Sequence, residues 1–458
     1  MRDEDAAGKE VKLPYQEKGV TWLKAKTRAL LGDDMGLGKT PQTIWAADEL
    51  ALKTILVVCP AAVRFNWVLE FQKFSKYQAE IVPSRPSAFG FPDVAVVSWD
   101  WAARYGGTEL PPRDLLILDE AHFAKNPNAL RTKGVFSKAW QDRDEDGNKI
   151  GPVLSGLAHK ARRIWALSGT PAPNHPGELW PLLCTFGATP LGYAAFTDTY
   201  CSKRVLDDGT SVMSVRKNMV PVLRKMLSGI MLRRLKKDVL LDLPPVDVQT
   251  MAVQADPEDQ AALAAVIEKC GGAINTLQEL IRRDPASAAH HIAHAIEHLG
   301  SLRRVVGIAK AKPACEIIHD ALDNRAFNKV IVFCIHKDVV TIVRKALAKF
   351  GVVAVVGDTP PTLRKEAVEK FQKDPGTRVF IGNIIAAGTG LTLTAAQDVF
   401  MLEQDWVPGN NRQAIDRAHR IGQVGSVTAR FVHLVNSVDE QVARVLARKA
   451  KDFEAVFN

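Results

Sequence analysis

Short, wholly apolar runs alternate with stretches of helical spacing along most of the chain. In the first part "TILVVC" (Thr54–Cys59), "VAVVS" (Val94–Ser98), "LLIL" (Leu115–Leu118) and "IWALS" (Ile164–Ser168) are too short for core helices and carry no polar face. That is the pattern of strands buried on both sides of a parallel sheet. A second set is predicted at Val330–Cys334, Val352–Val356, Arg378–Ile381, Val399–Leu402 and Arg430–Val435. Two such sets predict an α/β chain with two parallel-sheet lobes covered by helices. From roughly Gly192 to Ala311 strand runs are scarce and helical periodicity dominates, which predicts helical insertions between the lobes. The expected division is a first lobe over residues 1–187, a helical protrusion over 188–238, a linker and second protrusion over 239–311, and a second lobe over 312–458.

Composition adds little beyond class. The 458 residues are 47% hydrophobic and 24% charged, which fits a globular protein and excludes a disordered or fibrous one. The net charge of +9 favours a polyanionic partner without naming it. Six cysteines (Cys59, Cys184, Cys201, Cys270, Cys315, Cys334) form no C-x-x-C pair, so they read as reduced, mostly buried thiols rather than zinc ligands. The first residues have no apolar leader and no stretch is long enough to span a membrane, so a cytoplasmic or, in a eukaryote, nuclear protein with no membrane partner is expected.

The chemistry starts at "GDDMGLGKT" (Gly32–Thr40). Gly36 and Gly38 supply backbone freedom for a loop whose amides can converge on phosphate at a helix N-terminus. Lys39 supplies charge and Thr40 a hydroxyl for Mg²⁺. The general G-x-x-x-x-G-K-[ST] pattern would place a glycine where Asp33 stands. Asp33 is expected to hydrogen-bond the loop's own amides. "LLILDEAH" (Leu115–His122) follows as a hydrophobic strand ending in two carboxylates. Alone, such a pair is more often a helix cap; downstream of a phosphate loop it reads as Asp119 toward Mg²⁺ and Glu120 toward an attacking water. In "RQAIDRAHRIGQ" (Arg412–Gln423) the spacing predicts Arg417 and Arg420 on one helical face. They are either salt-bridging surface residues or arginines that stabilise a γ-phosphate in its transition state, with Arg420 the better candidate finger. "RKNMVPVLRKMLSGIMLRRLKK" (Arg216–Lys237) holds eight basic residues and no acid, as either a solvated helix face or a phosphate-contacting surface.

The ordered set resembles the Swi/Snf family of helicase-like DNA translocases, in helicase superfamily two. "LPYQEKGVTWL" resembles its adenine-recognising segment, "GDDMGLGKTPQTI" its phosphate loop, in which an acidic residue at position 33 is a family feature, and "DEAHFAKNPNALRTK" its extended acidic motif. "CPAAVRFNWVLEFQKF" and "VSWDWA" are similar to its first-lobe nucleic-acid segments, "LSGTPAPNHPGELWPLL" to its coupling segment, and "LRRLKKDVLLDLPP" to its interlobe junction. "AAGTGLTLTAA" and "QAIDRAHRIGQ" are similar to its last two motifs, and the likeness runs from about Leu13 to Gln441. It implies two RecA-like lobes, ATP and Mg²⁺ as cofactors, and movement along double-stranded DNA without ordinary strand separation. It also implies nucleotide contacts by Gln16, Met35, Gly36, Leu37, Gly38, Lys39, Thr40, Gly390 and Gln413, with Mg²⁺ at Thr40 and Asp119. Nucleic-acid contacts are implied for Arg64, Ser98, Ser168, Gly169, Thr170, Arg233, Lys236, His336, Lys337, Gly388 and Thr389. "LGSLRRVVGIAKAKPACEIIHDAL" with "VIVFCIHKDVV" is similar to the annealing-helicase branch, which implies branched DNA as a partner. A monomer, targeted by DNA shape or by a protein partner, is expected. The rivals are a DEAH-type RNA helicase and a clamp that senses ATP without hydrolysing it.

Two positions depart from the family. Val407 replaces an asparagine, which puts any polar role there in doubt. Pro41 has no N–H where a backbone amide usually nears the α-phosphate, although proline suits a first helical turn. Nucleotide binding is therefore expected to be looser than in relatives, and Pro41→Ile to lower the KM for ATP; an unchanged KM removes the idea.

Other features take plainer readings. "DRDEDGNKIGPV" (Asp142–Val153) starts like a calcium loop but has Val153 where a bidentate glutamate belongs, so an acidic hairpin turning at Asp146-Gly147 is the better reading. His290, His294 and His298 share a helical face, but no cysteine or H-E-x-x-H pattern accompanies them. Trp22, Trp67, Trp165 and Trp180 sit in apolar periodic segments and read as core, leaving Trp99, Trp101 and Trp406 in motif-flanking loops as candidates for another role.

Overall fold

The computed structural model describes residues 12–82, 91–108, 110–136, 156–205, 211–240, 242–260, 263, 296–384, 391–435, 437, 439, 454, 456 and 457. The chain divides into two compact units, one of residues 1–202, 215–240 and 455–458, the other of 203–214 and 241–454.

In the first unit the four predicted runs become β2 (Ile55–Cys59), β4 (Val94–Ser98), β5 (Arg113–Asp119) and β6 (Ala161–Leu167), and two strands that were not predicted join them, β1 (Arg28–Leu31) and β3 (Ala79–Ile81). After a short hairpin of β7 (Cys201–Val205) and β8 (Ser211–Val215), Met231–Leu232 forms β9. These make one parallel sheet in the order β3-β4-β2-β5-β6-β1-β9. Alternate residues of a strand point to opposite faces, and both faces here are buried. Ile55, Val57 and Cys59 pack with Val20, Ile44, Trp67 and Phe71 from helices α1 (Pro14–Lys24), α2 (Lys39–Glu49) and α3 (Arg64–Phe74). Leu56 and Val58 pack on the other side with Trp99, Ala102 and Phe136.

The second unit repeats the plan with β10 (Val246–Val253), β11 (Val330–Cys334), β12 (Val352–Val355), β13 (Val379–Asn383), β14 (Asp398–Met401) and β15 (Val427–Leu434). Its sheet is also parallel, in the order β10-β15-β14-β11-β13-β12. Helix Ile296–Asp323 and helix Lys337–Ala346 cover the face on which Val330, Val332 and Cys334 lie.

The stretch between the lobes differs from expectation. It is not purely helical, for β9 extends the first sheet beside β1 and β10 the second beside β15. By compactness the stretch 188–311 is shared between the units, with 203–214 and 241–311 in the second and the rest in the first. Residues 264–295, with His290 and His294, lie outside the described residues, as do the side chain of His298 and the whole of Asp142–Val153.

Candidate active site

The candidate phosphate loop leaves the end of β1 and enters α2, whose first residue is Lys39. Gly36 and Gly38 adopt φ of +83° and +73°, the left-handed region that favours glycine. A Cβ on Gly38 would sit 2.5 Å from the Gln16 amide nitrogen, so the backbone there is packed tightly against α1. Gln16 is buried; its oxygen accepts from Leu13 N at 3.0 Å and its nitrogen faces Leu37 O at 3.4 Å. Leu37 is fully buried and anchors the loop from below. Met35 closes the other side, 3.2 Å from where a Cβ on Gly169 would lie. Thr40 is half-buried, and Pro41 is buried in the first turn of α2, where the ring fits and the missing N–H leaves no helical bond unmade. The Lys39 ammonium donates to Asp33 O (2.7 Å) and Asp34 O (3.2 Å). Enclosure lowers its pKa, an effect opposed by Glu120, Asp33, Asp34 and Asp119.

Asp33 does not bond the loop's amides as expected. Fully buried, it takes the guanidinium of Arg234 as a fork, with Arg234 Nε and backbone N both donating to Oδ1 (2.9 and 3.1 Å). Its neighbour Asp34 accepts Lys236 N at 3.2 Å and lies 3.4 Å from Arg233. The acidic pair at the head of the loop thus receives the basic pair of the interlobe junction, which no local reading could show.

Asp119 ends β5, beside the end of β6. Trp67 Nε1 donates to Asp119 Oδ2 at 2.9 Å, Glu120 N to Oδ1 at 3.1 Å, and Trp99 Nε1 to Asp119 O at 3.0 Å. Burial, then the Glu120 carboxylate, push the Asp119 carboxyl up to about 7. Glu120 makes no side-chain cap bond, so the helix-cap alternative fails. It sits instead at φ +50°, ψ +54°, a left-handed conformation that costs a non-glycine residue about 1–3 kcal/mol. That turn places its carboxylate 3.3 Å from His122 Nδ1, which also lies 3.1 Å from Ser168 Oγ. Burial holds His122 neutral by lowering its pKa to about 4. Ser168 Oγ in turn accepts Thr170 N at 3.2 Å, so one chain of contacts joins the acidic motif to the coupling segment. Lys125 reinforces it by pairing with buried Glu178 at 3.0 Å.

Sequence reasoning missed the two tryptophans' part here. Trp67 read as core, and it is, but its N–H fixes the carboxylate assigned to the metal. Trp99 and Trp101 are buried at 2% and 5% exposure, not loop platforms; Trp406 is half-buried under the Arg303 cation at 4.6 Å.

The expected nucleic-acid residues of this lobe separate into two groups. Ser98 is buried and caps the helix Trp99–Tyr105 by accepting Trp101 N. Ser168 and Gly169 are buried, Arg233 donates to Gly32 O and Gly169 O at 2.7 and 3.0 Å, and Lys236 is 3% exposed. These side chains brace the lobe, which corrects the surface role expected of Arg233 and Lys236. Arg64 and Thr170 keep partial exposure. The basic run divides likewise, with Arg216, Lys217, Arg224, Lys225 and Lys237 exposed and Arg233, Arg234 and Lys236 turned inward.

In the second unit helix Pro408–Ile415 stops before the arginines, which lie in the following turn rather than on a helical face. Arg417 is 8% exposed, and both guanidiniums face Leu391 O, at 3.5 Å from Arg417 and 3.4 Å from Arg420. Arg420 adds a bond to Thr392 Oγ1 at 3.1 Å and is the more exposed of the two. Gln413 is half-buried on the helix before them. Gly388, Thr389 and Gly390 lie outside the described residues. His336 pairs with buried Glu403 at 2.6 Å, and exposed Lys337 with Asp358 at 2.5 Å. Val407, in place of an asparagine, serves as the extended residue before the helix, its amide held by Asp405 Oδ1 at 2.8 Å.

The residues fit a nucleotide and its cation. Gly36 and Gly38 hold the left-handed turn that a phosphate loop needs, and the buried Asp119 carboxylate and the Thr40 hydroxyl are oxygen donors of the kind Mg²⁺ prefers. Among the described residues no cluster of three or more histidine, cysteine or acidic side chains forms a metal cage. No helix among them is long and apolar enough to cross a membrane.

Comparison with known proteins identifies relatives of the chain. The chain matches the SNF2-related domain over residues 15–82 and 153–303 and the helicase conserved C-terminal domain over 310–422. It is 30% identical over 460 residues to the DNA annealing helicase and endonuclease ZRANB3 of Mus musculus, covering 96% of this chain and 40% of the relative. It is 29% identical to the SWI/SNF-related matrix-associated actin-dependent regulator of chromatin subfamily A-like protein 1 of Xenopus tropicalis, covering 96% and 44%. Among solved structures it is similar to the Sulfolobus solfataricus SWI2/SNF2 ATPase core in complex with dsDNA, at 25% identity and a TM-score of 0.44, covering 98% of this chain and 93% of that one. The chain spans less than half the length of these curated relatives.

Proposed function

The chain belongs to the SNF2-related family, with two RecA-like lobes of the helicase-like ATPase kind, and from that premise we propose that it is an ATP-driven translocase on double-stranded DNA. It would move along DNA, or remodel DNA and DNA–protein complexes, without separating strands as an ordinary helicase does. The observation that carries the reading is the convergence, at the ends of β1 and β5 on either side of β6, of the Lys39 loop with Asp119 and Glu120, whose charges act on Lys39.

In this reading the loop amides and Lys39 hold the phosphates, and Gln16 serves the adenine side. Mg²⁺ at Thr40 and Asp119 would supply charge neutralisation between phosphate oxygens. Trp67 keeps the Asp119 carboxylate in one orientation, and Glu120 orients the attacking water and accepts its proton. His122, neutral at physiological pH, relays the position of Glu120 to Ser168 without adding charge. From the second lobe Arg420, with Arg417 beside it, stabilises transition-state charge, and Gly390 and Gln413 complete the nucleotide contacts. The exposed members of the basic run, with Arg64, Thr170, His336, Lys337, Gly388 and Thr389, are assigned to the DNA backbone, which attracts such residues without regard to sequence. We place the protein with nucleic acid in the cytoplasm or nucleus, and favour branched DNA among duplex substrates because the annealing helicase ZRANB3 is among the relatives.

The test is steady-state ATP hydrolysis alone and with duplex DNA, single strands, branched DNA or RNA, with Glu120→Gln as the blank. Stimulation by duplex or branched DNA, weakening as salt rises, is expected. Stimulation by RNA alone would make the protein an RNA helicase, and ATP binding without turnover under every condition would make it a clamp.

A further inference from the structure

Arg234 stands 201 residues downstream of Asp33, yet its guanidinium is built into the foundation of the phosphate loop. Nε donates to Asp33 Oδ1 at 2.9 Å, and one terminal nitrogen pairs with Asp33 Oδ2 and donates to Gln42 Oε1 at 2.7 Å. The other terminal nitrogen donates to the Tyr15 carbonyl, and the cation lies 5.4 Å from the Tyr15 ring. Side-chain exposure is 13% for Arg234 and 0% for Asp33, so water screens the pair poorly. One side chain thus ties the adenine-side helix, the loop and α2 together.

Gln42 carries the effect into the loop. With its oxygen held by Arg234, its nitrogen is directed at Leu37 O (3.0 Å) and Gly38 O (3.1 Å). A peptide unit is planar, so the direction of a carbonyl fixes the direction of the next residue's amide. Orienting Leu37 O and Gly38 O therefore orients the N–H groups of Gly38 and Lys39, two of the amides offered to phosphate. Gly38 O also accepts Gln42 N at 3.2 Å and Leu37 O also faces Gln16 Nε2 at 3.4 Å, so the Gln42 side chain adds a further hold at two left-handed glycines that leave the loop pliable.

We propose that Arg234 is a positioning residue for the phosphate loop, acting through Asp33 and Gln42 to aim the amides of Gly38 and Lys39. The proposal rests on the ATP site of the reading above. It follows that a residue of the interlobe junction, outside every segment that touches nucleotide, sets the affinity for ATP.

The experiment measures ATP KM and kcat, affinity for a fluorescent ATP analogue, and melting temperature, for Arg234→Lys, Gln42→Leu, Asp33→Gly and the Asp33→Gly/Arg234→Lys pair. Lysine keeps the charge and loses the fork, and leucine removes the relay with the ion pair in place. Each single change is expected to weaken analogue binding and raise KM about tenfold, with kcat at saturating ATP changed less. In the pair the effects are expected to fall short of multiplying, as for partners in one network. A Gln42→Leu or Arg234→Lys protein with wild-type KM and analogue affinity, and a kcat that only tracks its folded fraction, would overturn the proposal in favour of a purely structural bolt. A wild-type chain that binds no nucleotide would overturn the ATP-site reading, and this proposal with it.

Discussion

Arg420→Ala is expected to lower ATP turnover roughly 10³–10⁵-fold while leaving ATP affinity nearly intact. The reason is where charge develops: an arginine finger stabilises the transferring phosphoryl in the transition state more than bound ATP, so its loss appears in kcat. Arg420 donates to Leu391 O at 3.4 Å and to Thr392 Oγ1 at 3.1 Å, both neutral acceptors. Arg417, more deeply buried, is expected to behave similarly but with some loss of stability as well. Single-turnover hydrolysis beside equilibrium binding of a fluorescent ATP analogue checks the split. Loss of binding in Arg420→Ala would show that the residue holds ground-state nucleotide and is no finger.

The second large effect is expected at Glu120. Glu120→Gln keeps the size and the left-handed backbone but removes the proton acceptor, and general bases contribute typically ~10²–10⁴-fold. Turnover should fall by that order while ATP and DNA still bind, and the melting temperature should stay near wild type because glutamine can occupy the same contact with His122. The readout is kcat with DNA at saturation, alongside thermal unfolding. Residual turnover within about threefold of wild type would mean that Glu120 does not take the proton.

How far the sequence reached follows from what each segment meets in the fold. β11 reads directly as a strand because Val330–Cys334 is apolar on both faces and buried throughout. β10 was missed because Val246–Val253 lies at the sheet's edge, with mostly exposed residues, and so looks like a polar linker. β9 has two residues, too few to show any period. The candidate site residues Lys39, Asp119 and Glu120 were legible since they come from contiguous motifs whose loop and strand geometry is local. The partners that hold them were not. Asp33 with Arg234, and Asp119 with Trp67, are contacts between distant positions, and a tryptophan's N–H bond leaves no mark on the hydrophobic pattern that places the ring in the core. The arginine turn failed for a related reason: helical spacing in "RQAIDRAHR" continues past Ile415, but the helix does not.

The order of strands bears on how the polypeptide is made. β1 is synthesised before both of its sheet neighbours, β6 and β9, so its hydrogen bonds stay open until residues 161–167 and 231–232 have been made. At about 5–20 residues per second that is a wait of tens of seconds at the slower rate. The second lobe repeats the situation, since β10 pairs with β15 near the lobe's far end. In each lobe an early strand waits for a partner made much later; in the first lobe that strand, β1, is apolar, and it stays open to chaperones or to aggregation until β6 and β9 have emerged.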